Sequence, residues 1–217
     1  MANEVSICNR ALTHIRARTI QSLSESTREA RACNTFFEDT RDSVLEDFPW
    51  NFASKEQALA ELSGESFSGW DHVYQYPSDC VKAREIYNSL SQIRHQRVLI
   101  PGGEYITEVT RVQADKIEFE IKVKSDFSSR VLLTNQDEAI LFYTARVTNP
   151  TVFSSEFVDA FSVRLAAELA ISIKGNANLR TSLMTHYLTL INQAEASDAN
   201  EGHKDPSVRN SFVEARG

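Results

Sequence analysis

The spacing of apolar residues changes twice along this chain, and each change falls beside a proline. Up to Phe48 apolar side chains recur every three or four residues, from Trp70 to about Val147 they alternate, and after Asn149-Pro150 the helical spacing returns. Helices at both ends and strands in the middle predict an α+β chain, with the helices segregated from an antiparallel sheet. The first change is the segment Asp47-Phe48-Pro49-Trp50-Asn51-Phe52-Ala53. Proline has no amide donor and disfavours helix at the residue before it, so Phe48 is predicted to close a long helix. Trp50 and its two neighbouring phenylalanines each carry a large apolar area, which predicts a buried corner where helix hands over to sheet.

Val5, Cys8, Leu12 and Ile15 share one stripe and predict a helix from Glu4 to Arg18, capped by Asn3. Ser26-Thr27-Arg28-Glu29 has the spacing of a capping box and opens a second helix, whose apolar face is Ala30, Cys33, Phe37, Val44 and Phe48. Lys55 to Leu62 is expected to add a further helical turn or two before Ser63-Gly64 and Ser68-Gly69 interrupt it. In the alternating region Ile117, Phe119, Ile121 and Val123 intersperse with Lys116, Glu118, Glu120, Lys122 and Lys124, the pattern of a half-exposed strand. Pro101-Gly102-Gly103 between Val98-Leu99-Ile100 and Tyr105-Ile106 predicts a hairpin, and Ala139 to Tyr143 a more buried strand.

Beyond Pro150, Phe157, Phe161, Leu165, Leu169 and Ile173 form an i, i+4 ladder on the most hydrophobic helix, expected to be central and to end at Lys174-Gly175. Leu179, Leu183, Tyr187 and Ile191 mark one more helix, whose pattern stops near Ala196. Ser197 to Gly217 is polar with only Val208, Phe212 and Val213 as apolar anchors, too few to order a segment by themselves. The expected organisation is an antiparallel helical bundle from 1–62 and 150–196, an inserted β-rich domain at 63–149, and a flexible C-terminal tail at 197–217.

A net charge of -7 with interspersed signs disfavours a sequence-reading nucleic-acid binder, which needs clustered Lys and Arg, but suits a surface past which DNA slides. Three widely spaced cysteines, Cys8, Cys33 and Cys80, fit neither a disulfide framework nor a zinc pattern and read as reduced core residues of a protein made in a reducing cytosol. The N-terminus lacks a basic region followed by an apolar run, and no window approaches about 18 apolar residues, so neither export nor membrane insertion is expected.

Each candidate for chemistry has a plainer explanation. His14, His95, His186 and His203 lack partners at ligand spacing, and Asp71 and His72, adjacent on a strand, point to opposite faces. Pro101-Gly102-Gly103 is not followed by the Lys-Ser/Thr of a phosphate loop. Glu38 with Asp42, or Glu46 with Glu61, supply the two carboxylates a glycosidase needs, yet a solvated helix face explains them equally well. The expectation is a non-enzymatic protein with no cofactor, metal or catalytic residue.

Several segments together resemble the tail tubular protein A family, head-to-tail adaptors of short-tailed bacteriophages. They are Ile7-Cys8-Asn9-Arg10-Ala11-Leu12 with Ile15, Ile20-Gln21-Ser22-Leu23-Ser24-Glu25-Ser26, the helix from Ala30 to the Trp50-Asn51-Phe52 corner, Tyr74-Gln75-Tyr76-Pro77, Leu141 to Val147, and the Phe153 to Ile173 helix. The similarity runs from about Asn3 to Ala196. One departure is Arg16, where many members carry glycine after the isoleucine that ends the first helix; another is the tail from Ser197, which matches in position and polarity more than in residues. The resemblance implies a structural virion protein, made in the host cytoplasm, at the head-tail junction. It would form a ring of twelve copies between the portal protein and the tail nozzle protein, with DNA passing through the lumen during ejection. In related adaptors the C-terminal extension grips the portal, which makes Val208, Arg209, Phe212, Val213 and Arg216 the portal-binding candidates here. A second reading is a virion-associated peptidoglycan hydrolase of muramidase type, using a pair such as Glu38 and Asp42. A third is a cytosolic regulatory module that binds a protein partner through its sheet edge.

Overall fold

The computed structural model describes residues 2–88, 94–99, 105–110 and 117–201. It is an α+β chain with, among the described residues, four α-helices, two antiparallel three-stranded sheets and a two-stranded one, and it divides into two compact units, Met1–Thr40 with Ser154–Gly217, and Arg41–Phe153. The first division falls inside a helix, at Thr40/Arg41, and not at 62/63.

The helical unit contains α1 (Glu4–His14), the first part of α2 (Arg28–Asp47), α3 (Ser155–Lys174) and α4 (Ala177–Glu201). The expected ladder on α3 is the centre of its core: Phe157, Phe161, Leu165 and Leu169 are wholly buried, and the helix packs against both α1 and α4. Ile7, Cys8, Ala11 and Leu12 of α1 and Ala30 and Cys33 of α2 are buried in the same unit, and the Phe37 ring packs at a tilt against Phe161 with ring centroids 4.9 Å apart.

The helix ends depart from the sequence-based expectation in instructive ways. Asn3 caps α1 as expected, with Ser6 returning the bond to the Asn3 amide, but the helix stops at His14, well short of Arg18. Ala17 N–H donates to the Leu12 carbonyl at 2.9 Å and Arg16 N–H to Thr13 at 3.0 Å, a Schellman closure with Arg16 at φ +52° in the left-handed position. At α2 the cap is Thr27, whose hydroxyl accepts from Ala30 N–H at 3.2 Å. Glu29 therefore lies one position too early for the reciprocal half of a capping box. Glu25 holds the preceding loop by accepting from the Gln21 and Ser22 amides, and the Asn9 side chain pairs with both the N–H and the carbonyl of Ile20. α4 continues to Glu201, past the Ala196 where its apolar pattern fades, and residues 202–217 lie outside the described part.

The sheet unit opens at the C-terminal end of α2. Lys55 to Leu62 is not helical: β1 (Ser54–Ala58) pairs antiparallel with β8 (Ala139–Ala145), Ser54 opposite Thr144 and Ala58 opposite Ile140. β8 is the middle strand of the order β1-β8-β3, with β3 spanning Cys80–Asn88. β2 (His72–Gln75), β7 (Arg130–Thr134) and β6 (Phe119–Val123) form the second sheet in the order β2-β7-β6. Tyr74 and Leu132 of the second sheet share one apolar cluster with Ile86, Leu141 and Tyr143 of the first. The opposite face, Val73, Val131 and Leu133, is covered by Leu62, Phe67 and Trp70. β4 (Arg94–Leu99) and β5 (Tyr105–Thr110) pair antiparallel, Leu99 opposite Tyr105; the expected turn Pro101-Gly102-Gly103 lies outside the described residues. β6 is a strand as expected, but its burial does not alternate: as an edge strand it leaves Ile121 and Val123 exposed, while Lys122 is half-buried and reaches over the Phe67 ring.

Candidate functional site

The aromatic corner is built as a clasp within the sheet unit. Trp50 is buried, packs edge-on against Phe48 at 4.8 Å, and donates its indole N–H to the Val44 carbonyl at 2.8 Å. The last carbonyls of α2 are otherwise satisfied by side chains from β3: Arg84 donates to Leu45 and Glu46, and Lys82 to Glu46. These cations stand where the partial negative charge of the helix end collects. Burial pulls the Arg84 guanidinium below its ordinary pKa. Phe52 then meets Phe153 at 5.6 Å, so the segment that enters the sheet unit is stitched to the segment that leaves it.

Three polar clusters lie on the same unit. Lys55 on β1 contacts Asp79 at 2.8 Å, and the Tyr143 hydroxyl donates to Asp79 at 3.0 Å and to the Gln57 side chain at 3.1 Å. Burial pushes Asp79 up, but the bonds from Lys55 and Tyr143 outweigh it and hold the carboxyl below the usual range. Asp42 bridges Arg41 at 2.8 Å and Arg146 at 2.7 Å, and the Arg41 side chain is almost wholly buried. His72 Nδ1 lies 2.8 Å from Glu61, whose hydrogen bond raises the imidazole pKa against the opposing effect of burial. Asp71, the neighbour that the sequence offers His72, instead has its amide bonded to Asn135.

The carboxylates named for glycoside cleavage are thus placed. Asp42 is committed to two guanidiniums and Glu61 to an imidazole, whereas a general acid for that reaction needs a protonated carboxyl in apolar surroundings. Glu38 and Glu46 are exposed on α2. His14 faces His186 edge-on at 6.3 Å in the helical unit, beside the Arg10–Asp159 ion pair. Burial, followed by the proximity of His186 and Arg10, lowers the His14 pKa. His95 lies on β4. No protein-family model matches the chain, and a search of curated proteins finds no match.

Among the described residues no group of three His, Cys, Asp or Glu side chains is arranged to hold a metal ion, and no helix is long and apolar enough to cross a membrane. Val208, Arg209, Phe212, Val213 and Arg216, together with His203, lie outside the described residues. The Asp42–Arg146 partnership escapes a sequence reading because it joins residues far apart in the chain, and the Glu61–His72 one because no helical or strand spacing relates the two; the adjacency of Arg41 and Asp42 inside a helix is a local signal.

Proposed function

We propose that this chain is a head-to-tail adaptor of a short-tailed bacteriophage, a non-enzymatic ring subunit between portal and nozzle whose lumen passes DNA. The observation that carries the reading is α4. It is a long helix with a single buried edge, Leu183, Tyr187 and Ala194, and an outer surface that includes Leu188 at 57 % exposed. The polar segment 202–217, with its spaced anchors Val208, Phe212 and Val213, follows it directly in the chain. A segment of that composition gains order by wrapping a partner. A ring further requires two different complementary patches on each subunit, and the mixed-sign helix surfaces supply candidates for them.

The test is deletion of residues 202–217, leaving α4 whole, followed by mixing with the portal protein encoded in the same genome. The reading predicts a truncated chain with the circular dichroism and melting behaviour of the full one that no longer joins portal rings in sedimentation. Undiminished assembly would sink it. The peptidoglycan-hydrolase alternative predicts clearing of cell-wall material by the purified protein, abolished by Glu38→Gln; the commitment of Asp42 to Arg41 and Arg146 favours the adaptor.

A further inference from the structure

We infer that β6 is a self-pairing edge, through which two copies of this chain join antiparallel about a two-fold axis and continue one sheet into the other. Among the described residues β7 is the only strand hydrogen-bonded to β6, so the far side of β6 is the edge of its sheet, with a row of backbone donors and acceptors along it. The ladder fixes which residues supply that row. Lys124 N–H donates to the Ser129 carbonyl at 2.9 Å, so the backbone groups of Lys124, Lys122 and Glu120 turn toward β7. Those of Phe119, Ile121 and Val123 point the other way.

Charge selects the occupant of the edge. From Glu118 to Lys124 the charged side chains read acidic, acidic, basic, basic, with Phe119, Ile121 and Val123 between them. Lysine on an edge strand ordinarily repels another strand, but an antiparallel copy of this segment answers every charge with its opposite. With Ile121 set opposite Ile121 of the second copy, Glu120 faces Lys122 and Glu118 faces Lys124. Moving one copy two residues in either direction sets Glu120 against Glu120 or Lys122 against Lys122. A one-residue slip fails for the backbone, because it opposes groups that point outward with groups already turned toward β7. The complementary register places Phe119, Ile121 and Val123 in the hydrogen-bonded pairs and the charges in the closer, non-hydrogen-bonded ones. Within each copy Lys122 lies 3.0 Å from Glu120, which also accepts from the Trp70 indole, so pairing extends an existing ion pair into a network of alternating sign. Apolar surface is covered as well: Ile121 and Val123, 39 % and 46 % exposed, meet Ile121 and Phe119 of the second copy.

One short strand from each copy is a small contact, at the weak end of protein interfaces. The chain is therefore a monomer at micromolar concentration and pairs as the concentration rises toward millimolar. A two-fold pair has no place in a ring whose copies are all related by one rotation axis, so the pair must separate before such a ring closes. The inference does not rest on the adaptor reading.

The experiment is sedimentation equilibrium of the full chain from micromolar to millimolar concentration. The expected result is a monomer that passes into a dimer, and no larger species. Glu120→Lys and Lys122→Glu should each keep the circular dichroism of the parent and weaken self-association about tenfold or more. An equimolar mixture of the two variants should associate again as a one-to-one pair, and the double variant should pair with itself. Ile121→Pro, which removes an outward N–H while sparing the ladder to β7, should abolish pairing. A chain that stays monomeric throughout, self-association unchanged by Glu120→Lys, or a mixture of the two variants that remains monomeric would overturn the inference. Portal is absent from this experiment, so its failure is distinct from failure of the adaptor reading.

Discussion

Arg16 closes α1 from the left-handed region, at φ +52°, a conformation that costs a residue with a Cβ about 1–2 kcal/mol relative to glycine. Its contribution to the neighbouring contact is backbone, since Lys174 donates to the Arg16 carbonyl. Arg16→Gly should therefore stabilise the protein by roughly 0.5–1 kcal/mol, after the added freedom of the unfolded chain is subtracted, as measured by urea unfolding. Trp50 is the opposite case. Trp50→Ala removes a buried ring and the bond to Val44 together and should cost about 3–5 kcal/mol, whereas Trp50→Phe keeps most of the packing and should cost about 1–2. His72 and His14 are shifted in opposite directions. His72 is raised, so its bond to Glu61 stabilises the fold fully below the unfolded pKa of about 6.5 and is lost as pH rises through the higher folded value. His14 is lowered, so the stability tied to its neutral form is present above about 6.5 and is lost as pH falls through the lower folded value. NMR titration should show this order, with Glu61→Gln bringing His72 down and His186→Gln bringing His14 up.

At the scale of elements, β1 shows most clearly where the sequence is silent. Ser54-Lys55-Glu56-Gln57-Ala58 has no alternating apolar residues, and four of the five are exposed, so its helix-tolerant composition carried the expectation toward a helix. The strand exists because β8 offers it an edge and because Lys55 and Gln57 reach the Asp79–Tyr143 pair. Tyr143→Phe should cost about 1 kcal/mol and accelerate hydrogen exchange in Ser54–Ala58 more than in β8. The ladder of α3 and the buried strand of β8 were legible because a one-sided or continuous burial pattern repeats over many residues. The ends of α1 and α4 were not, since a Schellman turn at Arg16 contradicts the propensity of arginine and α4 outlasts its own apolar stripe. The same limit holds for the candidate site: the carboxylates could be named from the chain, but the pairing of Asp42 with Arg146 is a long-range fact and that of Glu61 with His72 depends on how the segment between them folds back. The portal-binding candidates rest on the segment's composition and its family resemblance.

At the scale of the molecule, the helical unit is assembled from two separate stretches, Met1–Thr40 and Ser154–Gly217, while the sheet unit is the continuous stretch between them, Arg41–Phe153, within which Phe52 meets Phe153. A heterologous ring forms only when the rotation between copies closes, and a portal ring can template that closure. The most direct measurement is the native mass of the full chain alone and after mixing with portal rings. The account predicts a 24.5 kDa species alone and, with portal, a complex heavier by a complete ring of copies; a portal mass that stays unchanged at saturating protein would contradict it.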